Sequence, residues 1–152
     1  MNYVDNPFES PRVLSLCTGI GGIERGLKRA IGPIRAAAYV EIEAFIIENL
    51  LVGMEAGLVD AAPIWANLKT FPSQDFRGAV DGIIGGYPCQ PFSTAGNRKG
   101  EDDPRHLWPY IRKSIEAIKP VWCFFENVAG HLSLGYSEVY RSLRDMGYSV
   151  EP

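Results

Sequence analysis

What most constrains the fold of this chain is an alternation: short, almost continuously apolar runs, each followed after a turn by a stretch whose apolar residues recur at helical spacing. Runs without polar alternation belong to strands buried on both faces, the situation in parallel sheets with helices packed on either side. Residues 12–17 (RVLSLC) read as a first strand and 22–31 as the helix that follows. A second unit joins an apolar strand ending at Glu41 to helix-compatible residues 43–52. Prolines 63 and 72 leave room between them for only a brief third strand at 64–68. Strands at 80–85 and 121–125 and helices at 105–118 and 137–146 complete the pattern, and 148–152 reads as the opening of one more strand. The expected fold is a doubly wound, mostly parallel α/β sheet, with a lead at 1–11 and a single partial domain at 12–152, truncated before the last strands.

Composition narrows the function. A net charge of −3 lacks the basic excess of a self-sufficient nucleic-acid binder, whose grip rests largely on Lys and Arg contacts to phosphates. If nucleic acid is the substrate, much of that grip is elsewhere. No apolar run approaches the roughly 18 residues needed to span a bilayer, and the start MNYVDNPFESP has acids and prolines in place of a secretory signal. A cytoplasmic protein with no membrane role is expected. The cysteines at 17, 89 and 123 are odd in number and form no Cys-x-x-Cys pair, which argues against a disulfide framework and against a metal site.

Ligands of open parallel sheets bind beyond the carboxyl ends of the strands, so the residues that follow each strand carry the chemistry. After the first come Thr18-Gly19-Ile20-Gly21-Gly22, a backbone open to close approach at a helix start, but with Glu24 where a dinucleotide fingerprint has its third glycine. A nucleotide-type ligand without a pyrophosphate suits it better. Glu41, about 20 residues on, can accept hydrogen bonds from ribose hydroxyls, or simply stand solvated at a helix start. The fourth strand leads into GGYPCQPFS, where Pro88 and Pro91 restrict the backbone around Cys89. Cys17 and Cys123, set among aliphatic residues, read as inert buried thiols, whereas Cys89 reads either as a presented nucleophile or as an incidental thiol in a rigid turn. Glu126 follows five apolar residues; partial burial would raise its pKa and make it a proton donor, and helix capping is the other reading.

The strings LSLCTGIGG, YVEI, GGYPCQPFS and FFENV resemble, in order and approximate spacing, the DNA (cytosine-5) methyltransferase family over about residues 12–150. The resemblance implies S-adenosyl-L-methionine as cofactor and a cytosine flipped out of double-stranded DNA as substrate. Cys89 would add to ring carbon 6, and Glu126 would hydrogen-bond or protonate the pyrimidine edge. For the cofactor it implies Gly19, Ile20, Gly21 and Gly22 as the glycine loop, Glu41 at the ribose, Ile42 on the adenine, and Asn67, Leu68, Pro88 and Leu107 nearby. Pro88, Gln90, Ser93, Asn127 and Val128 fall at substrate positions, and Arg98 and Lys99 lie in a loop like the one that closes over DNA. Two departures stand out. Cys17 replaces a frequent aromatic, which predicts weaker cofactor binding, and Asn67 replaces the acid that meets the adenine amino group, a change an amide oxygen can accommodate.

The family's later segments, including its target-recognition domain, are absent from these residues. The expectation is therefore a chain inactive or nearly so alone, needing the missing C-terminal half or a complementing chain, from a bacterial or phage-infected cell. A non-catalytic cofactor-binding module, a dinucleotide oxidoreductase and a cysteine hydrolase using His106 or His131 are the competing readings.

Overall fold

The computed structural model describes residues 10–88, 106–131 and 135–152. Five strands, β1 (Arg12–Leu16), β2 (Arg35–Val40), β3 (Ile64–Trp65), β4 (Gly82–Gly85) and β5 (Trp122–Phe125), form a sheet in the order β3-β2-β1-β4-β5. Every pairing is parallel. Four helices accompany them among the described residues: α1 (Gly22–Ile31), α2 (Ala44–Glu55), α3 (Trp108–Ile118) and α4 (Tyr136–Asp145). None is long and apolar enough to cross a membrane.

The alternation of side chains along each strand splits the interior in two. Leu14 and Leu16 of β1, with Ala38, Val40 and Ile83, pack on one face beneath Ile111, Ile115 and Ile118 of α3 and Val139 and Leu143 of α4. Val13 and Ile84 point to the other face, where Ile23 and Leu27 of α1 cover them. Helices on both faces make this the doubly wound arrangement that the apolar runs predict.

Register places the site. Leu16 lies opposite Val40 and Gly85, Val40 opposite Trp65, and Gly85 opposite Phe125, so all five strands end level. The residues just beyond them therefore share one rim.

Two expectations are corrected. Residues 148–152 form no strand: Tyr148 instead donates from its hydroxyl to the Pro120 carbonyl (2.6 Å) and, with Val150, packs on the core. A strand exists only by pairing, and among the described residues these pair with none. The third strand is also shorter than expected, two residues, with 3-10 turns following at Leu68–Thr70 and Ser73–Phe76.

Candidate functional site

The order β3-β2-β1-β4-β5 reverses direction between β1 and β4, the topological switch where open α/β sheets leave a crevice. A cavity of about 540 Å³ lies there, within the usual size of small-molecule sites. Of the residues expected at a cofactor, Cys17, Gly19, Glu41, Ile42, Asn67, Leu68, Pro88 and Leu107 line it. Ile20, Gly21 and Gly22 do not. Val40, Glu43, Lys69 and Gly86 line it too, and the sequence reading did not single them out.

The β1–α1 turn is built from left-handed backbone at Cys17 (φ 51°), Gly19 (φ 58°) and Gly21 (φ 75°). At Gly21 a side chain is also sterically barred, since a Cβ would stand 2.8 Å from Val59 Cγ1. Glycine is therefore the residue this turn requires. Behind it, Glu24 is buried and neither carboxylate oxygen has a hydrogen-bond partner. Burial raises its pKa, only partly offset by the approach of the Ser15 hydroxyl, its own backbone amide and the charges of Arg25 and Lys28.

Glu41 is buried at the end of β2 and tied down by three backbone amides. Its Oε2 accepts from Gly19 N (2.9 Å), and its Oε1 accepts from Ile42 N (2.8 Å) and Glu43 N (3.0 Å). A carboxylate offers about four lone-pair positions. One, on Oε2, is left for a ligand hydroxyl, so a second ribose bond must share an oxygen. The Cys17 thiol beside it is pushed up to about 12 by burial and then by the Glu41 charge, and burial lifts Cys123 to about 12 as well. Both thiols stay protonated, as the inert reading requires.

On the far wall, Asn67 Oδ1 accepts from Lys69 N (3.0 Å), capping the first 3-10 turn. That bond occupies part of the acceptor capacity expected to serve an adenine amino group. Lys69 Nζ lies 5.3 Å over the Tyr110 ring, a cation–π contact that holds it beside the cavity.

The exits of β4 and β5 are bound together. Glu126 N donates to Gly85 O (3.0 Å), and Asn127 Nδ2 donates to Tyr87 O (2.9 Å) while its Oδ1 accepts from Val128 N (2.9 Å). Asn127 thus spends both ends of its amide on backbone. Glu126 Oε2 stands 3.0 Å from where a Gly86 Cβ would be, so the carboxylate packs closely on the bare backbone there. Glu126 is exposed, not partly buried as its apolar approach suggests, because among the described residues β5 is the last strand in the order and has a neighbour on one side only. Val128 is exposed on the same rim. Cys89, Gln90, Ser93, Arg98 and Lys99 lie outside the described residues. His106 and His131 are buried, and the His131 Nε2 faces the Tyr87 hydroxyl.

The sequence model of the C-5 cytosine-specific DNA methylase family matches residues 11–152. Type II methyltransferase M.HgiBI of Herpetosiphon aurantiacus is 32% identical over 147 residues, covering 91% of this chain and 31% of the relative. Type II methyltransferase M.NgoPII of Neisseria gonorrhoeae is 30% identical, over 98% of this chain and 43% of the relative. The chain thus spans about a third to two-fifths of the length of these curated relatives. Among solved structures, the Dnmt2 methyltransferase of S. pombe superposes with a TM-score of 0.70 at 26% identity, covering 91% of this chain and 43% of that one.

Proposed function

Because the chain belongs to the C-5 cytosine-specific DNA methylase family, we propose that it forms the cofactor-binding and nucleophile-bearing part of an enzyme that methylates carbon 5 of a cytosine flipped out of double-stranded DNA. The observation that carries this reading is the level, adjacent ends of β4 and β5, from which Tyr87 and Pro88 on one side and Glu126 on the other leave next to the cavity of about 540 Å³; Cys89 follows Pro88 in the sequence. S-adenosylmethionine, when bound, supplies an electrophilic methyl group. Glu41 presents one free lone pair for a ribose hydroxyl, Ile42 and Leu68 offer apolar surface to the adenine, and the Asn67 amide faces its polar edge.

At the substrate, Cys89 adds to ring carbon 6 as thiolate, which makes carbon 5 nucleophilic. Glu126 hydrogen-bonds the pyrimidine edge and relieves the charge that attack creates; its exposure leaves it accessible to a base entering from the rim. Carbon 5 takes the methyl group, then loses its proton, and the cysteine departs. Gln90, Ser93, Asn127 and Val128 surround that base, Arg98 and Lys99 meet phosphates, and the remaining grip on DNA comes from a C-terminal half or complementing chain.

Two measurements test the proposal. Calorimetry should show that S-adenosylhomocysteine binds the chain, and more tightly once the segment that follows in the longer relatives is supplied. A duplex carrying 5-fluorocytosine should then form a covalent adduct with the reconstituted protein that Cys89→Ser abolishes. Absence of cofactor binding in both forms, or an adduct that survives the serine substitution, would overturn it.

A further inference from the structure

The Asn67 wall of the cavity carries two hydrogen-bond donors that nothing in the fold uses. A backbone amide can only donate, so the end of the Asn67 side chain that stands 3.0 Å from Lys69 N is its oxygen. The amide nitrogen, Nδ2, is thereby turned away from the 3-10 turn, and among the described residues it has no hydrogen-bond partner. Lys69 Nζ likewise forms no ion pair or hydrogen bond there; it stands 5.3 Å over the ring of Tyr110 on α3. Both residues line the cavity. The carboxylates of the same lining, Glu41 and Glu43, follow β2, and Glu41 has already spent three lone pairs on backbone amides.

A 6-amino purine and a 6-oxo purine differ in what the 6-position offers: the amino group donates, whereas the carbonyl accepts. An acid at position 67, as the family resemblance implies, has acceptors only and suits the amino group. Here the acceptor is partly spent and donors stand in its place. We propose that Asn67 and Lys69 set the purine selectivity of this site and set it toward a 6-oxo purine, so that the cavity holds an inosyl nucleoside at least as tightly as an adenosyl one. The inference rests on the reading of the cavity as a nucleoside-cofactor site with Asn67 at the purine's polar edge. Donors that face an amino group are left unpaired in a partly desolvated site, which is the costly arrangement, and a carbonyl relieves it. The second lone pair of Asn67 Oδ1 can still accept from an amino group, so the adenosyl ligand is held less tightly without being excluded.

The test is calorimetric titration of the chain, Asn67→Asp and Lys69→Met with S-adenosylhomocysteine and with S-inosylhomocysteine. The unaltered chain should bind the inosyl ligand at least as tightly as the adenosyl one. Aspartate can still accept from Lys69 N and cap the turn, but it repels a carbonyl; Asn67→Asp should therefore prefer the adenosyl ligand by about tenfold or more. Methionine keeps an apolar stem beside Tyr110 without the ammonium, and Lys69→Met should bind the inosyl ligand about tenfold more weakly while its adenosyl affinity stays within about threefold. Melting near the parent's temperature checks the fold of each variant, and should one fail, the other carries the comparison. A parent that holds the adenosyl ligand more tightly, or a ratio of affinities that either folded variant leaves unchanged, would overturn the inference and leave the methyltransferase reading standing. Binding of neither ligand would strike the nucleoside-site reading itself, and the purine selectivity with it.

Discussion

Glu41 concentrates more of the site in one side chain than any other described residue. Its three backbone bonds join the first turn after β1 to the start of α2, across the mouth of the cavity. Replacing it by glutamine puts an NH₂ group where an oxygen accepts, leaving at least one amide facing a donor. Bonds from an amide to a charged acceptor are worth about 1.5–3 kcal/mol. Glu41→Gln should therefore lose about that much stability in urea denaturation and bind S-adenosylhomocysteine at least about tenfold more weakly. Equal affinity in the two proteins would remove Glu41 from the binding site. Its place in the sequence, at a strand end about 20 residues beyond a glycine turn, made this acid legible before any coordinates. Lys69 was not legible, because a lysine in WANLKTF faces the cavity only through the 3-10 turn that Asn67 caps and the ring of Tyr110, 41 positions away. The burial expected of Glu126 failed for a related reason: an apolar run shows that a strand is covered on its faces, not whether a neighbour lies along its edge.

At the scale of elements, the strands and helices with long apolar periodicity fell where the sequence put them, and α1 matches its expected bounds residue for residue. Those elements owe their existence to burial on a fixed period, which a sequence displays. The short third strand and the tail at 148–152 depend on a partner, which it does not display. Within α1, Glu24 breaks the pattern as a buried acid in the first turn. Since its folded pKa is raised, the folded chain holds this proton more tightly than the unfolded chain does. Its contribution to stability is then fully present below the ordinary carboxyl range, near pH 4, and is lost as pH rises through the raised value. Glu24→Gln has no such proton. Urea titrations should show the variant roughly 1 kcal/mol more stable than the parent at pH 7.5, with the advantage gone at pH 4.5. A parallel pair of pH curves would mean that Glu24 is paired and charged in solution.

At the scale of the whole molecule, the exposed apolar surface is unevenly placed. Val121 (60% exposed), Phe124 (45%) and Val128 (64%) lie before, within and beyond β5, and among the described residues the sheet order gives that strand one hydrogen-bonded neighbour, β4. An apolar strand with open backbone groups is a template for pairing with further chain. The longer relatives contain more than twice the residues matched here, which supplies a candidate for the covering segment. Two outcomes follow from this geometry. Sedimentation of the chain alone should show concentration-dependent self-association, and Val121→Lys with Phe124→Lys should suppress it, because a charged edge repels a second copy. Co-expression with the following segment of a relative should yield a one-to-one complex, and the same lysine pair should then abolish complex formation while leaving the melting temperature of the isolated chain within a few degrees. If the lysine variant still forms the complex, the covering segment lies elsewhere, and the exposed apolar residues of α2, Phe45, Leu51 and Val52, become the surface to substitute next.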